Sequence, residues 1–149
     1  MRIYLACTVR GDRGALGVVR RIAAKLEAGG HEVLTSHLLE DDVDVAESSL
    51  SSQAVFERDL GWLDSCDLLV AEASGSSYGV GFEVGYILGR AATTGQRVLL
   101  LYDRARESAV SRMIAGNTHA ACVLLPYENI EQIERALRLQ VPDDASRGS

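Results

Sequence analysis

The residues best suited to chemistry lie in one stretch, Ser74 to Arg90, which reads SGSSYGVGFEVGYILGR. The apolar run Leu68-Leu69-Val70-Ala71 before it has the character of a buried strand. After it, Val84, Ile87, Leu88 and Ala91 recur at helical spacing. The backbone should therefore pass from a strand through a tight loop into a helix, with Glu83 in the first helical turn. A carboxylate there can simply complement the helix dipole. Gly79, Gly81 and Gly85 add a second possibility, because they allow close approach of a ligand or tight helix packing. Their spacing, G-x-G-x-x-x-G, is not that of a dinucleotide site, and no Gly-Lys-Ser/Thr follows to make a P-loop. An acid among glycines suits a site that reacts with a sugar and holds one phosphate nearby. Glu83 is accordingly read as the attacking group in cleavage of an N-glycosidic bond.

Such cleavage needs a second carboxylate, because one acid attacks or stabilises the sugar while another protonates the leaving group. Asp59, in a mostly apolar helix, is the candidate; its plainer reading is a solvent-facing residue. Tyr4 sits on the first strand, where a tyrosine is usually core, but a hydroxyl reaching Glu83 would orient that carboxylate or stabilise its anion. The polar turn Cys7 to Gly14, CTVRGDRG, offers Thr8, Arg10-Gly11 and Arg13 just ahead of a helix start, a place suited to a phosphate. Ser77, from the other loop, adds a donor. His37 follows the second strand and could line a sugar or base pocket. No His/Cys/carboxylate cluster has metal spacing, so neither a metal nor another cofactor is expected.

The elements that must position these groups alternate strand and helix. Strands are expected at Arg2–Ala6, Glu32–Ser36, Leu68–Ala73, Arg97–Tyr102 and Ala121–Leu125. Helices are expected through Leu16 to Leu26, from Ser51 to Asp64 with Phe56, Leu60 and Leu63 inward, after Ser77, and through Ile130 to Leu137. Residues 104–116 should form a polar loop and a short helix. Leu38 to Leu50 carries five acids and should be a mobile loop, a candidate lid. The pattern implies an α/β fold: one doubly wound, flavodoxin-like or Rossmann-like domain over residues 1–141, with a five-stranded parallel sheet in the order 2-1-3-4-5 and helices on both faces. Residues 142–149 should be a flexible tail. That strand order reverses between strands 1 and 3, where ligands bind at the carboxyl ends. The two loops there are the two polar, small-residue loops already singled out.

Composition narrows the partners. The 149 residues suffice for one domain with a sizeable core, and the net charge of -6 argues against a polymeric nucleic-acid surface while leaving room for a single nucleotide. Three cysteines without metal spacing, no signal peptide and no apolar run long enough to cross a bilayer point to a reduced cytoplasm.

These residues resemble the 2′-deoxynucleoside 5′-phosphate N-hydrolases, within the nucleoside 2-deoxyribosyltransferase superfamily. The resemblance runs from Ile3 to about Leu139 and rests on four motifs: Tyr4 with Thr8-Val9-Arg10-Gly11, Glu57 to Leu63 (ERDLGWL), Ser77 to Gly85 (SYGVGFEVG), and Ser111 to Ile114 (SRMI). It implies that Glu83 is a nucleophile forming a covalent deoxyribosyl intermediate, that Asp59 serves the leaving base, and that Tyr4 positions Glu83. It implies a phosphate pocket of Thr8, Val9, Arg10, Gly11, Ser77 and Gly79, with Ser111 reaching across from the partner subunit of a homodimer. Met113 would line the site beside it, and His37 would lie near sugar and base. Two positions depart from the family: Cys7 replaces a glycine, and Asp12 puts a negative charge where another glycine is usual.

The resemblance leaves rivals. Relatives that cleave cytidine monophosphate, a ribonucleotide, tend to carry phenylalanine in place of Tyr4. Base exchange between deoxynucleosides is a second rival, disfavoured by the phosphate-type loop and Ser111. A nucleotide sensor without catalysis is a third, disfavoured by the presence of Tyr4, Asp59 and Glu83 together.

Overall fold

The computed structural model describes residues 1–8 and 12–142. Val9, Arg10 and Gly11 of the expected phosphate loop, and all of the expected tail except Pro142, lie outside the described residues. Five parallel strands form one sheet: β1 (Arg2–Ala6), β2 (Glu32–Val33), β3 (Leu68–Glu72), β4 (Arg97–Asp103) and β5 (Cys122–Tyr127), in the order β2-β1-β3-β4-β5. The expected order and the reversal between β1 and β3 are both present.

Side chains alternate along each strand, so each strand serves two cores. Ile3, Leu5, Leu68, Val70, Leu99 and Leu101 face α1 (Leu16–Ala28) and α6 (Ile130–Gln140), meeting Val19, Ile22, Leu26, Ile133 and Leu137. Tyr4, Ala6, Leu69, Ala71, Val98 and Leu100 face the other way, towards α3 (Ser52–Ser65) and α4 (Tyr78–Thr94), where they meet Leu63, Val80, Val84 and Ile87. Every residue of the central strand β3 is buried, as a parallel strand covered on both faces requires. The same alternation puts the Tyr4 side chain on the face that carries α3 and α4.

Three expectations need correction. First, β2 ends at Val33 rather than Ser36. Leu34 N–H still donates to the Ile3 carbonyl at 2.9 Å, but then the Thr35 hydroxyl accepts from Leu5 N–H at 3.0 Å and donates to the Leu5 carbonyl at 2.7 Å. A side chain makes both bonds that a strand backbone would have made, and the main chain turns away into a 3-10 helix over Ser36–Leu39. Second, residues 38–50 are not an irregular loop. They contain the end of that 3-10 turn and α2 (Val43–Ser48). Leu38, Leu39 and Val43 are buried beneath them. Three arginines pin the segment: Arg13 donates to the Leu38 carbonyl at 3.2 Å, Arg20 to the Leu39 carbonyl and Asp41, and Arg58 to Glu47. Third, α3 meets the core mainly through its last turns. Leu63 is buried, Leu60 only partly, and Phe56 remains 51% exposed, its ring edge-on to that of Phe82 at 6.2 Å.

Candidate active site

Ser77 starts α4 as its N-cap, its side-chain oxygen accepting from Val80 N–H at 3.3 Å. Because the helix begins at Tyr78, Glu83 falls in its second turn and not, as expected, in its first. The dipole-partner reading weakens accordingly, since that effect fades beyond the first turn. Instead, Glu83 stands three residues after Val80 and four before Ile87, on the stripe that α4 buries against the sheet. There it meets Tyr4, 1% exposed, whose hydroxyl donates to Glu83 Oε1 at 2.6 Å.

Burial dominates the electrostatics of this pair. It pushes the Glu83 carboxyl up to about 7; the Tyr4 hydrogen bond opposes that rise, and the nearby Asp59 charge adds to it. Burial and the adjacent Glu83 also push the Tyr4 hydroxyl far above its ordinary value, so the phenol keeps its proton and remains a donor. Asp59, on α3, is likewise raised by burial, against the pull of the neighbouring Arg58 guanidinium. Glu83 and Asp59 both line a cleft of about 500 Å³, with Ala6, Cys7, Leu38, Glu47, Leu50, Val55, Ser77 and Gly79 among its other walls. Two carboxylates with separately tuned proton affinities, facing one cleft, are suited to one attacking and one proton-carrying role.

The end of the cleft where a phosphate was expected is built from two loops, one between β1 and α1 and one between β3 and α4. Ser77 and Gly79 line the cleft at the start of α4, where first-turn amides lack intrahelical partners and favour an anion. Thr8 follows β1 and is 6% exposed, and its Oγ1 has no hydrogen-bond partner among the described residues. Gly75 packs directly on it: a Cβ at residue 75 would stand 2.4 Å from Thr8 Oγ1 and 2.8 Å from the Asp12 carbonyl oxygen. Asp12, the charge out of place for the family, bonds Gly14 N–H at 2.8 Å and pairs with Arg106. These partners hold its carboxyl below the usual range and offset its charge locally. Gly81 and Gly85 make no such close approach; a Cβ at either would meet open space.

Ser111 and Met113 lie elsewhere in the same chain. Ser111 caps the short helix α5 (Arg112–Ala115), its oxygen accepting from Met113 N–H at 3.3 Å. Both line a neighbouring hollow of about 430 Å³ that shares Ser76, Ser77, Tyr78 and Val80 with the cleft wall. His37 sits behind the wall, its ring centroid 5.2 Å from that of Trp62 and its Nε2 3.5 Å from Glu47 Oε1. The structure thus brings Tyr4, Asp59, Glu83, Ser77 and Gly79 together, sets Thr8 beside them, and leaves His37, Ser111 and Met113 out of the cleft lining within one chain.

Several contributors escape a reading of the sequence. Glu47, only 8% exposed and lining the cleft, belonged to a run of acids with nothing to distinguish it. Arg58 lies inside the ERDLGWL motif, but nothing in the sequence gave it a role. Glu72 is buried at the end of β3, where it accepts from Ser74 and, at 3.0 Å, from the Tyr127 hydroxyl, while Ser74 Oγ accepts from Asp103 N–H at 2.7 Å. That knot fixes the base of the β3–α4 loop. Only Gly75 left a signal, as a glycine in a loop already marked for close approach.

Comparison with known proteins identifies the family. The nucleoside 2-deoxyribosyltransferase family matches residues 3–136, and the chain belongs to that family. A Thermofilum pendens protein with the provisional name 2′-deoxynucleoside 5′-phosphate N-hydrolase 1 is 41% identical, over 95% of this chain and 96% of its own. The 5-hydroxymethyl-dUMP N-hydrolase of Danio rerio is 36% identical over 78% of each chain. Among solved structures, the CMP N-glycosidase BcmB of Clostridium botulinum has the same fold, with a TM-score of 0.65 at 20% identity, covering 93% of this chain and 99% of that one. No helix among the described residues is long and apolar enough to cross a membrane.

Two outcomes follow from the burial at this site. The folded chain keeps a proton on Glu83 up to about pH 7, whereas an ordinary glutamate loses it near 4.5, so stability falls as pH rises between those values. Glu83→Gln should therefore unfold much like the parent near pH 4 but be more stable by on the order of 2 kcal/mol at about pH 8. Urea unfolding at the two pH values checks this; an equal difference at both would mean that Glu83 titrates normally. Gly75→Ala, which must displace Thr8 or the Asp12 backbone, should keep the fold yet weaken binding of a phosphomonoester about tenfold. Calorimetric titration measures it, and unaltered affinity would separate Gly75 from the anion end.

Proposed function

We propose that this chain hydrolyses the N-glycosidic bond of 2′-deoxynucleoside 5′-monophosphates, giving free base and deoxyribose 5-phosphate. The observation that carries the proposal is the part-buried Tyr4–Glu83 hydrogen bond at 2.6 Å, in a cleft that Glu83 shares with Asp59 and that ends at the start of α4. Tyr4 occupies Oε1 of Glu83 and leaves Oε2 for the sugar. In the first step Oε2 attacks C1′, the bond from C1′ to the base nitrogen breaks, and its electron pair leaves with the base. Asp59 gives its proton to that base. In the second step the Asp59 carboxylate takes a proton from water as the water oxygen attacks C1′ and Glu83 departs. Each step moves only protons and electron pairs, so the chemistry calls for no cofactor or metal. The phosphate is held by Thr8, Ser77 and Gly79, and by Val9, Arg10 and Gly11 between β1 and α1. The names of the relatives, which refer to 2′-deoxynucleoside 5′-phosphates and to 5-hydroxymethyl-dUMP, support this substrate class.

The active species in this proposal is a homodimer. Tyr78 and Met113 are 101% and 85% exposed around the 430 Å³ hollow, and Phe82 is 53% exposed nearby. A second copy would cover these side chains and bring its Ser111 and Met113 to the phosphate end.

A screen of ribo- and deoxynucleoside monophosphates for base release tests the reaction. Deoxynucleotides should turn over fastest, and Glu83→Ala should abolish turnover while nucleotide binding largely survives. Faster release from a ribonucleotide would reassign the substrate, and an active Glu83→Ala enzyme would refute the mechanism. For the shared site, mixing inactive Glu83→Ala chains with weakened Ser111→Ala chains should regain activity, because each mixed dimer holds one intact site. No gain on mixing would place Ser111 in its own chain's site or in none.

A further inference from the structure

Asp59 does not hang free in the cleft. Arg58, its neighbour on α3, turns back and donates to Asp59 Oδ1 through Nε at 2.9 Å, with Nη2 of the same guanidinium 2.8 Å from that oxygen. The other edge of the same guanidinium donates to Glu47 of α2, Nη1 to Oε1 at 2.7 Å and Nη2 to Oε2 at 3.1 Å. Its carbon lies 4.8 Å from the centre of the Trp62 ring. Trp62 also meets the His37 ring, and His37 Nε2 lies 3.5 Å from Glu47 Oε1, closing a circuit of four side chains. A guanidinium is planar and presents its donors in a fixed fork, so fixing one edge fixes the other. Glu47 thereby sets where Asp59 Oδ1 must lie. Asp59 Oδ2 takes no hydrogen bond among the described residues.

We propose that Arg58 is the positioning residue for the leaving-group acid: anchored by Glu47, it grips Oδ1 of Asp59 and presents Oδ2 to the departing base. This rests on Asp59 serving as that acid. Holding a carboxyl in place with a cation alone would keep it ionised and useless as a proton donor. Here burial opposes ionisation, and Glu47 shares the guanidinium, so both work against the pull of Arg58 towards the anion. The charged and titratable groups around Asp59 are Arg58 on its own helix, Glu47 of α2, His37 of the 3-10 turn, Tyr4 of β1 and Glu83 of α4. The two members of the anchor act on Asp59 with opposite sign: Arg58 favours its anion, and Glu47 disfavours it.

The test is the pH dependence of kcat/KM for the monophosphate cleaved fastest in the screen, because its alkaline limb follows loss of the Asp59 proton. Arg58→Gln should lower kcat/KM about tenfold or more at its optimum and move that limb up by about one pH unit. Glu47→Gln leaves Asp59 as the only carboxylate on the guanidinium and should move the limb down. Arg58→Lys should bring the limb back towards the parent while the rate stays low, since an ammonium supplies charge without the fork. A merely structural role would shift both limbs alike or neither. Full rate in Arg58→Lys, or an unchanged profile in Arg58→Gln, overturns the proposal; if Arg58→Gln fails to fold, an unmoved limb in Glu47→Gln does the same. Asp59→Asn separates the two levels. An alkaline limb that survives in Asp59→Asn overturns the acid assignment and this proposal with it. A limb lost in Asp59→Asn beside unaltered Arg58 variants overturns this proposal alone.

Discussion

The site depends on a largely buried carboxylate at the cleft wall whose only hydrogen-bond partner among the described residues is a phenol. No cation among the described residues offsets the charge of Glu83; the influences on it are burial, the Tyr4 hydroxyl and the Asp59 carboxylate. Burying an ion this way opposes folding, and a stability-driven design would place an apolar residue on that stripe of α4. What the chain gains is an acid that titrates near neutrality and a fixed direction of approach, because the phenol occupies one carboxylate oxygen. Function and stability pull in opposite directions at this residue.

The fold makes that arrangement possible without special local geometry. Strand alternation gives Tyr4 its face, β3 delivers the chain to the crevice beside β1, and α4 begins early enough to bring its second turn over the phenol. The N-terminal end of the same helix lines the same cleft, so in the proposed mechanism one element would supply both the reacting carboxylate and the phosphate end. The opposite wall comes from α3 and from the α2 segment, bound together through Arg58. Arg106 plays a comparable part at the anion end, where it offsets the charge of Asp12.

Much of this was legible in the sequence, for physical reasons that differ by region. Alternating apolar runs and helical stripes gave the five strands, their order and the switch point, since burial on two faces leaves a strong periodic mark. Tyr4 and Asp59 stood out as polar groups in apolar stretches and Glu83 as an acid among glycines, and the structure joins Tyr4 to Glu83 and puts Glu83 and Asp59 in one cleft. The failures lie where a side chain replaced the backbone or where charges fold a segment. Thr35 ends β2 early by bonding Leu5 itself, which no propensity reports. The acidic stretch looked unstructured because its partners, Arg13, Arg20 and Arg58, are distant in sequence. Glu83 was set one turn too early because the helix starts among glycines and serines that resemble a loop. The places of His37, Ser111 and Met113 rested mainly on the resemblance, since contacts across elements or between subunits leave no periodic mark in one chain.

The two-residue β2 has an effect beyond the site. A sheet of this order ends at β2 on one side and β5 on the other, and exposed borders of that kind invite strands from other molecules. On the first border, pairing beyond Val33 continues through Leu34 N–H and then the Thr35 hydroxyl, so little free backbone remains to template a stranger. On the second, Pro126 interrupts the row of N–H donors. Both borders are thus poor seeds for fibril growth, and a chain with so apolar a central strand is shielded from self-association through its sheet by one hydroxyl and one imino acid.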